Sequence, residues 1–123
     1  MQKNNREQTE SFLPLTPAMF QILLALADGN KHGYAILKDV SRRSEGKIRL
    51  SAGTLYGNLA RLEGAGLIAE SSKRPEFSLD DERRRYYRLT DFGREVAVAE
   101  ARRMEEAIAL AHAKHLFAKP ETA

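Results

Sequence analysis

The polar residues with the most definite chemistry lie in one stretch, Leu50 to Ile68, which reads L-S-A-G-T-L-Y-G-N-L-A-R-L-E-G-A-G-L-I. Thr54, Asn58 and Arg61 carry groups that hydrogen-bond base edges and phosphates: Arg pairs with guanine, Asn with adenine, and Thr with either kind of partner. Leu55, Leu59 and Leu62 recur at i, i+4 and i+7, the apolar stripe of a helix. At ~100° per residue the opposite side shows Gly53, Thr54, Gly57 and Arg61, with Tyr56 and Asn58 on its shoulders. Ser51 is placed as the N-cap, and Gly64 and Gly66 as the stop. That outer side holds no carboxylate and little bulk. Surface helices ordinarily place long charged residues there, and each interior glycine costs roughly 1 kcal/mol relative to alanine. A thin polar ridge is what a helix needs to enter a groove of DNA. Ser51, Gly53, Thr54, Tyr56, Gly57, Asn58 and Arg61 are therefore the expected recognition surface. Arg61 could equally hold phosphate, Tyr56 suits a packing role equally well, and the two glycines also suit a tight contact with a neighbouring helix.

Other chemistries find little support. The chain has no cysteine, which excludes disulfides and thiol catalysis. His112 and His115, three apart, could present two metal ligands from one helix face. No further Cys or suitably placed His joins them, so no metal site or cofactor is expected. No Ser-His-Asp order, paired-carboxylate pocket or phosphate-cradling glycine loop occurs, which argues against an enzyme. The net charge is +3, and the segment from Lys47 to Arg88 alone holds nine Lys/Arg against six Asp/Glu, an excess equal to that of the whole chain. Basic charge beside a recognition helix is an electrostatic footprint for nucleic acid. A mixed, solvated surface is the plainer reading of so small an excess.

The elements that must position this ridge follow from the pattern of the chain. Residues 1–11 are polar, without periodicity, and read as a disordered tail. A domain spans 12–89. Its first helix begins with Thr16 as cap and Pro17 at the first position, and runs to about Ala27. A second starts around His32-Gly33-Tyr34 and runs to about Arg43, and the Leu50–Ile68 stretch supplies the third. Strands follow at Ile68–Ser72 and near Arg83–Leu89, joined by a loop over Lys73–Glu82, so a small β-hairpin completes a mainly α domain. Lys73, Arg74, Arg83 and Arg84 are the basic residues of that hairpin, suited to phosphate or minor-groove contact. Arg85 is placed to face inward and pair with an acid.

Thr90 caps a long helix over 90–118, free of proline and with no glycine beyond Gly93, and 119–123 form a second disordered tail. Ala101, Met104, Ile108 and Ala111 keep a three-four spacing along it. Such a helix is too long to be covered by so small a domain, so its apolar stripe is expected to meet a second copy, with Phe12 beside it. Phe20, Met104 and Ile108 are placed to line a pocket for a small hydrophobic effector. No apolar run reaches the ~20 residues of a membrane span, and the first ten residues lack a signal-peptide core, so a cytoplasmic protein is expected.

Several strings, in order, carry a family resemblance: L-T-P-A-M-F-Q-I-L-L-A-L from Leu15, H-G-Y-A-I from His32, S-A-G-T-L-Y-G-N-L-A-R-L-E from Ser51, G-L-I from Gly66 and R-R-Y-Y-R-L-T from Arg84. Together they resemble the PadR family of bacterial transcriptional regulators, in its short-tailed subgroup. The resemblance implies a winged helix-turn-helix with a long C-terminal dimerisation helix, acting as a homodimeric repressor on a palindromic double-stranded DNA operator and released by a small molecule. The wing departs from the family's compact basic turn, being longer and acidic at Asp80-Asp81-Glu82. The chain also lacks tryptophan, so it has no indole platform for a ligand. The alternative is a winged-helix module that binds protein and not DNA.

Overall fold

The computed structural model describes residues 5–72 and 85–118. The element order is α1 (Asn5–Glu10), α2 (Pro17–Leu26), β1 (Lys31–His32), α3 (Gly33–Arg43), α4 (Ala52–Gly64), β2 (Ile68–Ser71), β3 (Tyr86–Leu89) and α5 (Asp91–Ala113). The fold is mainly helical, with a small antiparallel sheet, as a winged helix-turn-helix requires.

Each of α2 to α5 begins where a side chain can take up a free N–H of the first turn. Thr16 accepts from the Met19 N–H at 3.2 Å, and Ser51 from the Thr54 N–H at 3.1 Å. Thr90 accepts from the Gly93 N–H at 2.9 Å. At α3 the cap is His32, whose Nδ1 accepts from the Ala35 N–H at 3.2 Å. The stop of α4 is Gly66, at φ +81°, and there the Leu67 N–H closes back on the Leu62 carbonyl at 2.9 Å.

The core lies where α2, α3 and α4 meet the sheet and the first half of α5. Ile22 and Leu23 of α2, Ile36 and Val40 of α3, Leu55 and Leu59 of α4, and Val96 of α5 are fully or almost fully buried. The sheet order is β1-β3-β2, so β3 is central and Tyr86 and Tyr87 pair with residues on both sides. Thr90 locks sheet to helix: its hydroxyl donates toward the Gly66 and Leu67 carbonyls at 2.7 and 3.0 Å.

Three elements and one side chain depart from the sequence expectation. Asn5–Glu10 is helical and packs on α5, so the polar N-terminal segment is ordered there. Lys31–His32 is a strand added to the hairpin, which makes three strands of two. The terminal helix ends at Ala113, short of 118: His115 takes φ +59°, and the Leu116 N–H closes on the Ala111 carbonyl at 2.9 Å, the geometry of a glycine stop built on a histidine. The wing residues Lys73, Arg74, Arg83 and Arg84, and the tail 119–123, lie outside the described residues. Arg85 lies on the surface, 3.6 Å from Glu70 of the paired strand, rather than facing inward. No helix among the described residues is long and apolar enough to cross a membrane.

Candidate nucleic-acid interface

The leucine stripe of α4 faces the core, and its other side faces out. Leu55, Leu59 and Leu62 are buried, while Ser51, Gly53, Thr54, Tyr56, Gly57 and Arg61 are exposed. A methyl group built on Gly53 or Gly57 would meet nothing within 4 Å. Neither glycine is therefore required by contacts within the described residues, which removes the tight helix–helix reading. What both glycines do is keep the ridge low.

Asn58 departs from its expected place. It is only 7% exposed, and its side-chain amide donates to the Thr54 carbonyl at 2.8 Å. Turned along its own helix in this way, it presents no free edge to a groove. Thr54 is exposed and is held by Ser51, whose hydroxyl lies 2.9 Å from the Thr54 hydroxyl.

Tyr56 is half in and half out. A Cβ on Gly33 would come within 2.8 Å of the Tyr56 hydroxyl and 3.1 Å of its ring, so the ring lies against the first turn of α3. The absence of a side chain at Gly33 thus sets the spacing of α3 and α4. Beside it, Tyr34 is 56% exposed and stacks parallel on His32 at 6.5 Å, and His32 meets Tyr86 edge-on at 5.2 Å.

Two residues that position the interface were missed from sequence. Gly93 sits under the carbonyl of Leu67, where a Cβ would fall 1.9 Å from the oxygen; any side chain would push α5 off the hairpin. Its one signal was its place three residues after the capping Thr90. Glu100 is fully buried and accepts from the Leu15 N–H at 2.6 Å and from Arg103 Nε, tying the segment before α2 to α5. Its signal was its place four residues from both Val96 and Met104, on the apolar side of α5.

Helices α3 and α4 stand beside the antiparallel sheet, and known proteins share this arrangement. The model of the transcriptional regulator PadR-like family matches residues 22–99. This chain belongs to that family. Residues of the regulator are 36% identical over 85 positions to a transcriptional regulator of Mycobacterium tuberculosis, covering 69% of this chain and 73% of that protein. They are 40% identical over 87 positions to an uncharacterized 37.1 kDa protein in transposon TN4556 of Streptomyces fradiae, covering 71% of this chain and 23% of that longer protein. Among solved structures, a PadR family transcription regulator from Clostridium difficile superposes with a TM-score of 0.65 at 25% identity, covering 79% of this chain and 96% of that one. A transcriptional regulator from Clostridium thermocellum gives 0.60 at 25% identity, covering 92% and 99%. The family is one of regulators, not of enzymes.

The family match stops at residue 99, within α5. Every residue of the regulator from Ala101 to Leu110 is exposed, including Met104 at 36%, Ile108 at 53% and Leu110 at 58%. Ala111 is half-buried, and Phe12 is half-buried against Phe92, with ring centres 5.7 Å apart. Phe20 does not join Met104 and Ile108: it is sealed in the core at 8% exposure, so these three residues form no pocket within one chain. A cleft of about 650 Å³ lies instead between α1 and α5, lined by Leu13 and Ala99 and by Arg6, Glu10, Glu95 and Arg102. His112 packs on Phe117 at 4.7 Å, and no group of three or more metal-binding side chains occurs among the described residues.

Proposed function

We propose that this regulator binds double-stranded DNA through α4, as a homodimer held by the projecting half of α5, and represses transcription from a palindromic operator. One observation carries the reading: the exposed side of α4 has two glycines that no contact among the described residues requires. Natural helices avoid such positions unless something approaches closely. Thr54 and Arg61 are the base-reading residues, and Ser51 and Tyr56 contact the backbone. Asn58 is left out of the set because its amide is bonded to its own helix. Lys73, Arg74, Arg83 and Arg84 of the wing are kept as phosphate contacts flanking α4.

Dimerisation follows from the overhang. Ala101, Met104, Ile108 and Ala111 extend the core-facing side of α5 beyond the domain, where no helix of the same chain among the described residues covers them. A second copy would bury that stripe and set two reading heads one helical turn, roughly 34 Å, apart. A small hydrophobic effector would then enter between chains, at Met104 and Ile108, and act by binding the DNA-competent and incompetent arrangements unequally. The site of action is the cytoplasm.

The test is fluorescence anisotropy on a duplex from the regulator's own upstream region across a salt series. Affinity should fall steeply with salt, because phosphate contacts release counterions, and Arg61→Ala should lower affinity by about tenfold or more. An affinity flat in salt, or an Arg61→Ala protein equal to its parent, would favour the protein-binding module instead.

A further inference from the structure

The basic residues on the α3 side of the reading head divide into two kinds. Arg42 and Arg43 are held by Asp39 at 3.3 and 2.7 Å, and Lys31 by Asp28 at 2.5 Å. Lys38, Lys47 and Arg49 make no ion pair among the described residues. Lys38 and Arg49 line one open cleft of about 340 Å³ between α3 and the connection to α4, with Ser41 beside them and Leu37 and Leu50 as its apolar floor. No carboxylate lines that cleft. The ammonium of Lys38 is steadied by Tyr34, lying 4.9 Å from the centre of its ring.

This cleft adjoins α4 at two points. Leu50 of its floor precedes Ser51, the cap of α4, and Tyr34 follows Gly33, on which Tyr56 of α4 rests. Two cations and a hydroxyl around an opening without a counter-charge are the donor set of a phosphate: the guanidinium supplies paired N–H groups and the ammonium a point charge.

We propose that the Lys38–Ser41–Arg49 cleft seats one phosphodiester of the DNA strand bordering the groove that α4 enters. The proposal rests on the DNA reading above and adds a contact surface on α3, outside both the recognition helix and the wing. It makes Lys38 and Arg49 contributors to affinity for any duplex, and not to the choice of sequence.

The experiment compares the parent, Lys38→Gln, Arg49→Gln and the double variant on the upstream duplex and on a scrambled duplex, by anisotropy over a salt series. Both side chains are exposed, and circular dichroism confirms that the variants fold. The double variant should lose affinity for both duplexes by the same factor, and its plot of log K against log salt should flatten by about 0.9 for each bound subunit. Replacing phosphates one at a time by neutral methylphosphonate should reveal one position in each half-site that costs the parent affinity and costs the double variant nothing. An unchanged slope, or a loss confined to the upstream duplex, overturns the cleft while leaving the DNA reading intact. A parent that binds neither duplex removes both.

Discussion

Gly53 and Gly57 separate the needs of folding from the needs of binding. Gly57 sits in the interior of α4 and Gly53 in its first turn, and an added methyl meets nothing at either. Replacing Gly57 by alanine should stabilise the fold by about 1 kcal/mol from helix propensity alone, and Gly53→Ala should stabilise it by less. If the ridge must lie close to DNA, the same changes should weaken operator binding while raising the denaturation midpoint. Gly93→Ala should do the opposite of stabilise. Its Cβ would lie 1.9 Å from the Leu67 carbonyl oxygen, and overpacking against backbone costs about 3 kcal/mol or more, readable in urea unfolding. Asn58 shows how far a residue type can be read without its partners. On a helical wheel it lies beside Thr54 and suits a base edge; the carbonyl of Thr54 captures its amide instead. Periodicity gives a direction, but it does not reveal a local hydrogen bond that draws a side chain inward.

At the scale of elements, the chain announced what was periodic and concealed what was not. The stripe of α4, its Ser51 cap and its Gly66 stop were all legible, because each depends on residues within one or two turns. β1 was not, since two residues carry no period and become a strand only beside Tyr86 and Tyr87. α1 was hidden for a related reason: it has no apolar stripe, and it is held by packing on α5 from the far end of the chain. The end of α5 was misplaced because His115 performs the turn that a glycine usually performs. The central strand carries its own pH dependence. Burial raises the Tyr87 phenol above its ordinary value of 10.0, so its neutral form is favoured in the folded state. A raised folded value means that the contribution is complete below pH 10 and is lost as pH rises through the higher folded value. A pH series of thermal unfolding should therefore show stability falling on the alkaline side, with the fall reduced in Tyr87→Phe.

At the scale of the whole molecule, a small helical domain carries a bare strut. α5 spans about 34 Å at 1.5 Å per residue, and its second half is uncovered by its own chain among the described residues. Ile108→Glu, or Met104→Glu, should leave the domain folded yet shift the sedimentation profile to a monomer and reduce operator affinity by about a hundredfold or more, since one head cannot hold two half-sites. Hydroxyl-radical footprinting on the upstream duplex tests the account most directly. Two heads held apart by paired struts should protect two patches on one face of the duplex, roughly 34 Å apart, and Arg61→Ala should erase both. A single protected patch, or protection that survives Arg61→Ala unchanged, would contradict it.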